Sequence, residues 1–346
     1  MSRNNILTIL SIIFVFLFIW YGSHHFNPYT MKIWEEVGIF LMLGASYNLI
    51  NGVAGQFSLE PNGFVAIGAY VAAILTLTPA QKGAMFIITP MVPWLQNLHM
   101  SFFPALIIAG LVTAFVGFLL GFPVFRVRGD YLAIVTLGFG LTIRVVANNT
   151  ISITNGALGL KGIANYTNIW WCWGWAVFAM IVIMRIVNSE FGRAMKAIRD
   201  DEDAAIAMGI NTFWIKMIAF VVAAFFEGVG GGLLAHLITV ISPTMFTFFL
   251  TFQLLIIIVV GGLGSMTGTA LATLLVIWGS ELLRVVEQPM NILGLHIPGI
   301  PGMRMVVFAL LLIIIMIFAR EGIMGQKEFS WDKLFNLFKK NKVAQK

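Results

Sequence analysis

Ser189-Glu-Phe-Gly-Arg-Ala-Met-Lys-Ala-Ile-Arg-Asp-Asp-Glu-Asp-Ala-Ala-Ile-Ala-Met-Gly-Ile-Asn211 is a charged, helix-prone island between two apolar runs, 170–187 and 214–239. It interrupts a chain of 346 residues that is 59% hydrophobic and only 10% charged, with a mean hydropathy of +0.92. Those values lie well outside the range of soluble domains. A chain so poor in charge that gathers acids and bases on one connector meets water there. The island reads as a handle for a soluble partner, with a solvated connector on the membrane surface as the plainer alternative. What surrounds it reads as membrane.

Working outward, a run of about twenty apolar residues suffices to cross the hydrocarbon core. Such runs lie at 6–22, 34–51, 63–78, 103–122, 130–147 and 170–187 before the island, and at 214–239, 248–262, 267–287 and 303–319 after it. The expected fold is an all-α, polytopic transmembrane bundle of about ten spans with a short helix in the charged loop 188–213. The run at 6–22 follows Arg3 as a signal peptide would, but Gly22-Ser-His-His-Phe offers no small-x-small cleavage site, so it counts as a span. Residues 85–95 carry Pro90 and Pro93 ahead of Trp94 and are expected to be interfacial or re-entrant.

Ten crossings put both ends on one side, and charge chooses the side. With the amino terminus in the cytoplasm, 15 of the 21 Lys and Arg residues fall inside, among them Arg126, Arg128, Arg185, Arg193, Lys196, Arg199 and Lys216. Lys32, Lys82, Arg144, Lys161, Arg284 and Arg304 fall outside or within spans. Both termini are therefore expected in the cytoplasm. Residues 1–321 form the transmembrane domain on this reading. Residues 322–346 form a basic tail in which Phe329, Leu334, Phe335 and Phe338 accompany Lys333, Lys339 and Lys340, as on an interfacial anchor helix. The net charge of +6 requires no nucleic-acid partner.

Within the island, Asp200 or Asp201 suits the cap of a helix about two turns long. Glu202 and Asp203 would occupy its first turn, where carboxylates favour the exposed amides, and Gly209 suits the left-handed turn that ends it. Ala204, Ala205, Ala207 and Met208 are small or adaptable, so the rod can lie close in a groove of another protein.

The stretch 192–211 resembles the EAA-type coupling loop of ABC importer permeases, and the chain as a whole resembles the branched-chain amino acid permeases of the LivM type. Supporting segments are Asn51-Gly-Val-Ala-Gly-Gln-Phe-Ser-Leu59, Gly63-Phe-Val-Ala-Ile-Gly-Ala-Tyr70, Arg126-Val-Arg-Gly-Asp-Tyr-Leu-Ala-Ile-Val-Thr-Leu-Gly-Phe-Gly140 and Gly261-Gly-Leu-Gly-Ser-Met-Thr-Gly268. Together they cover roughly residues 40–285. The resemblance implies a permease that pairs with a related second permease, rests on two ABC ATPase subunits and receives substrate from a periplasmic binding protein. It assigns ATPase coupling to Glu202, Asp203, Ala205 and Gly209, with Arg199 as a charged contact. It implies inward movement of leucine, isoleucine and valine, with urea or another small amide as the alternative cargo. The pattern departs at two places. Ser58-Leu-Glu-Pro-Asn-Gly63 stands where the family commonly has Ser-Leu-Gly-His, and Thr154-Asn-Gly156 where it has Thr-Gly-Gly.

Polar residues at membrane depth are costly and often functional. Asn48, Gln56, Ser58 and Asn62 surround a Gly- and Pro-containing break between two spans. Unwound backbone there can face a substrate, or the break is a surface connector. Asp130 reads as a helix cap or as a gate. Arg144 reads as a snorkelling anchor or, with Asn148, Asn155 and Gly156, as a receiver for a substrate carboxylate. Ala224, Gly228 and Gly232 step by four and predict close helix packing. Glu227 and His236 beside them suggest a buried acid or a proton relay. Glu281, Arg284 and Glu287 suit an ion-pair ladder.

Other chemistries find little support. Cys172 is the single cysteine, so neither an internal disulfide nor a thiolate metal cluster is available, and no metal or other cofactor is expected. The chain has no G-x-x-x-x-G-K-[ST] loop, so ATP would be bound by partner subunits. With no H-E-x-x-H or G-x-S-x-G motif it does not read as an enzyme. The rival class is an ion-coupled secondary transporter using Asp130 and Glu227.

Overall fold

The computed structural model describes residues 13, 15–17, 19–87, 89–127, 129–287, 290–292 and 295–297, together with 302–303, 306–307, 309–310, 313, 317, 321–325 and 327–328. Most of the expected runs 6–22 and 303–319, and the tail beyond 328, lie outside the described residues. Among the described residues the helices that carry the fold include α1 Pro28–Asn48, α2 Pro61–Thr76, α3 Pro79–Met85, α4 Phe102–Val124, α5 Asp130–Asn149, α6 Ile169–Val187, α7 Glu190–Asp200, α8 Glu202–Ala207, α9 Thr212–Ile238, α10 Phe248–Gly261 and α11 Met266–Leu283. A short antiparallel pair follows, β1 Met290–Ile292 and β2 Leu295–Ile297, with Asn291 opposite His296.

Six helices among the described residues are long and apolar enough to cross a membrane: Phe102–Val124, Tyr131–Asn149, Ile169–Val187, Thr212–Ile238, Pro243–Gly261 and Met266–Leu283. A seventh is added if α2 and α3, bent by 116° at their junction, form one broken span. These match the expected runs from 103 to 287. The 34–51 run is realised differently. Its helix begins at Pro28, carries Lys32, Glu35 and Glu36 in its first turns, and ends in a π-helical turn, Leu49–Val53. Residues 55–60 then run without helix.

Helix α9 is the central post, with 78% of its most apolar window buried against 28–44% for the other five. Its small-residue stripe explains why. A Cβ on Gly68 of α2 would stand 2.0 Å from the Gly228 carbonyl oxygen, and one on Gly231 would stand 2.1 Å from the Val65 carbonyl oxygen. On the α4 side, a Cβ on Gly228 would meet Thr113 Oγ1 at 2.4 Å, and one on Gly117 would meet the Ala224 side chain. Backbones approach this closely only where side chains are missing, and in lipid that contact replaces the hydrophobic drive available in water.

Connections gather at two ends. At one end, Arg199 donates to the Gly52 carbonyl, and Ile323 and Met324 donate their amides to the carbonyls of Val260 and Gly261. At the other end, Leu160 and Ile241 exchange backbone hydrogen bonds at 2.9 Å, Val92 donates to Ser152, and Met100 to Leu75. There Lys82 is buried and donates to the Leu95 and Leu98 carbonyls, which folds 85–98 back over the bundle end. Glu281 and Arg284 pair at 3.0 Å, and Tyr29 bonds to Glu281.

Candidate functional site

The charged island folds as two helices that meet at Asp201. At Asp201 the backbone turns extended, with φ −159° and ψ 108°, and its carboxylate accepts from the Ala204 amide at 3.0 Å. That bond satisfies one of the orphan donors at the start of α8 and stabilises it by about 1 kcal/mol. The helix ends at Ala207, and Gly209 follows at φ +82°, a conformation that penalises any residue with a Cβ.

One face of this short helix is fixed to the bundle. Ala205 is buried, and Glu202 forms an ion pair with Lys216 of α9, Oε1 to Nζ at 2.7 Å. Arg199 lies along the preceding helix with Nε and Nη2 on Asp200 Oδ1 and Nη1 3.3 Å from the Gly52 carbonyl. The other face is open. Met208 is 82% exposed and Ile206 45%, flanked by exposed Asp203. In a soluble protein an exposed pair of large apolar side chains would be unremarkable. Here they stand beside a helix that Glu202 and Ala205 hold to the bundle.

Asn48, expected beside a translocation path, is buried and bonded to a neighbouring hairpin. Its amide donates to Ser265 O at 3.0 Å and Thr269 Oγ1 at 2.7 Å, while its oxygen accepts from the Gly264 amide at 2.9 Å. It therefore clamps α1 to the α10–α11 hairpin, with every polar atom used. The same hairpin is closed by Glu328, which accepts from the Met266 and Thr267 amides at 2.7 and 3.1 Å, so α11 is capped from a distant segment. A recess of about 130 Å³ opens between Lys196, Arg199, Gly264 and Glu328.

Behind the Arg199 contact, residues 55–60 lead inward. Gln56 is half-buried and bonds locally to Ala54 O at 3.2 Å. Ser58 is buried: its amide donates to Asn51 Oδ1 at 3.0 Å, and its carbonyl accepts from the Tyr47 hydroxyl at 2.8 Å. Leu59 donates to Thr136 Oγ1 at 2.8 Å, and Asn62 exchanges bonds with Thr251 at 3.2 Å while lying against Gly140. Thr136 and Gly140 stand six and ten residues into α5, about 9 and 15 Å along a helix rising 1.5 Å per residue. The break is thus an irregular segment in which Ser58, Glu60 and Asn62 are buried against other helices while Gly55 and Phe57 stay exposed.

The remaining expected residues do not join it. Asp130 opens α5, and its side chain lies outside the described residues. Arg144 is half-buried toward the far end of that helix. Asn155 and Gly156 are buried in a tight turn at the opposite end, at φ 61° and 58°, with Asn155 Nδ2 on the Gly159 carbonyl at 2.9 Å. His236 is satisfied on both ring nitrogens, Nδ1 by Gly232 O and Nε2 by Thr76 Oγ1, each at 2.8 Å. Sequence reasoning did not place Tyr47, Thr136, Thr251 or Lys216 in the site. Their spacing carries no local signal.

The family described as branched-chain amino acid transport system / permease component matches residues 30–316. Among curated proteins, the chain is 34% identical over 289 residues to the high-affinity branched-chain amino acid transport system permease protein LivM of Escherichia coli K12, covering 74% of this chain and 64% of that protein. The protein of the same name from Salmonella typhimurium is 34% identical, covering 71% and 61%. The matched region thus spans less than two thirds of the length of these two relatives. The permease protein LivH of Salmonella typhimurium is 23% identical over 331 residues, covering 90% of this chain and 97% of that protein. No solved structure matches.

Proposed function

From the premise that this chain belongs to the family of branched-chain amino acid transport system permease components, we propose that it is a transmembrane subunit of an ABC importer. It moves leucine, isoleucine and valine inward with ATP hydrolysed on partner chains. About ten spans, both termini in the cytoplasm, a bacterial inner membrane, a related second permease, two ABC ATPases and a periplasmic binding protein complete the reading. So do the division into a 1–321 membrane domain and a 322–346 tail.

The single observation that carries the coupling role is the arrangement of α8. Asp201, Glu202 and Ala205 anchor the helix while Ile206 and Met208 stand exposed at its tip. An anchored rod with an apolar end transmits displacement, and Arg199 hands that displacement to Gly52 at the start of the buried break. On this reading Arg199, Glu202, Asp203, Ala205 and Gly209 serve ATPase coupling. Gln56, Ser58 and Asn62 belong to the moving path, whereas Asn48 holds the hairpin beside it.

The test is copurification of the chain with its ATPases, followed by uptake assays in which leucine, isoleucine, valine and urea compete. ATP-dependent uptake blocked by the three aliphatic amino acids and not by urea is expected. Uptake blocked by urea alone would reassign the cargo. Uptake by the chain without ATPases, under an ion gradient, would place it among secondary transporters.

A further inference from the structure

Glu60 and Glu227 are both fully buried, and among the described residues neither carboxyl oxygen of either one meets a hydrogen-bond partner. Glu60 sits at the end of the irregular segment, just before α2, and Glu227 sits midway along the central helix α9. The two carboxyls are close enough to interact electrostatically with one another and with Tyr47. Ser58 Oγ and Asn62 Nδ2, the polar atoms on either side of Glu60 in sequence, are buried and unpartnered too.

Among the described residues, no ion pair or hydrogen bond brings a counter-charge to either carboxyl. Helices α4 and α10 contribute no titratable side chain. On α1 the nearby titratable group is Tyr47, whose hydroxyl is spent on the Ser58 carbonyl, and on α2 it is Tyr70. The other ionisable groups of α9, Lys216 and His236, are committed to Glu202 and to Thr76 with Gly232. On α5, Tyr131 is exposed and Arg144 half-buried. An unpaired buried carboxylate costs several kcal/mol, and two that repel each other cost more. Taking up a proton removes that cost.

We propose that Glu60 and Glu227 form a proton-binding site inside the membrane domain, in which at least one carboxyl holds a proton at neutral pH. Proton uptake forms one O–H bond on a carboxylate and needs no other reactant. Because Glu60 closes the segment that begins at the Arg199–Gly52 contact, its protonation is exposed to movement of the charged handle. The site rests on the reading of this chain as a membrane permease and not on the identity of its cargo.

The test is infrared spectroscopy of the purified complex in lipid, in light and heavy water, without substrate or nucleotide. A protonated-carboxyl band is expected at neutral pH. It should weaken or shift in at least one of Glu60→Gln and Glu227→Gln, and be lost from the double variant. The natural chain carries its own control, because raising the pH should bleach the band and lowering it should restore it. A band that survives unchanged in the correctly assembled double variant would overturn the proposal. So would a band that sodium removes at constant pH while potassium does not, since the ligand would then be a metal cation. Uptake measured in parallel separates the two readings: failed transport with an intact band rejects the importer and keeps the site.

Discussion

Lys216 and Glu202 are fourteen residues apart and on different helices, yet their 2.7 Å contact fixes the direction in which the handle points. Lys216 is 6% exposed, so leaving it unpaired costs about 1–3 kcal/mol. Glu202→Arg would set two cations against each other and is expected to abolish ATP-driven uptake while the chain still inserts. The charge-swapped pair Glu202→Arg with Lys216→Glu should recover much of the loss. Equal defects in the single and double variants would show that Glu202 acts through another partner. At Asp201, substitution by Ala removes the cap and should cost about 1 kcal/mol of local stability. Faster hydrogen exchange over 202–207 with an unchanged bundle is the expected readout. Asp201 and Gly209 were legible in the sequence because caps and left-handed turns are local chemistry. Lys216 was not, because nothing local distinguishes it from any basic residue at a membrane edge.

At the scale of elements, Gly209→Pro should uncouple transport, since proline holds φ near −65° and the turn needs +82°. Normal uptake by this variant at normal expression would remove the handle from the mechanism. Packing of α9 sets a second expectation. Gly228→Val would force atoms into Thr113 and the Ala109 carbonyl, and overpacking of this kind costs about 1–3 kcal/mol or more. A lower melting temperature of the detergent-solubilised protein is the measurement, with Gly174→Ala, whose added Cβ meets nothing within 4 Å, as the neutral control. The stripe at 224, 228 and 232 announced a close helix contact. Which helices would fill it, α2 on one side and α4 on the other, followed only from the three-dimensional arrangement.

At the scale of the whole molecule, the handle, the 262–265 turn and the 321–328 strap share one end, while 85–100, 150–168 and 239–247 share the other. The proposed topology puts the first end inside the cell. Cys172 is buried, so single cysteines give a clean report: Met208→Cys should be labelled only from the inside and Ile87→Cys, at an 85% exposed position, only from outside. Labelling of both from one side would invert or break the topology. Cysteines at 56–62 extend the test, with Phe57→Cys labelled and Ser58→Cys protected, because Phe57 is 49% exposed and Ser58 is 1% exposed.

Composition and periodicity alone determined that this is a helical membrane protein with a charged loop carrying a capped, two-turn helix, because apolar run length, caps and turns are read from neighbours in the chain. Tertiary structure alone decided that Ser58, Glu60 and Asn62, in and after the irregular segment that follows Val53, are buried against other helices. It also decided that Asn48 is a clamp, and that Glu60 and Glu227 are buried together. Each of those outcomes depends on what other helices place opposite a residue, and pairing at that distance leaves no mark on local sequence.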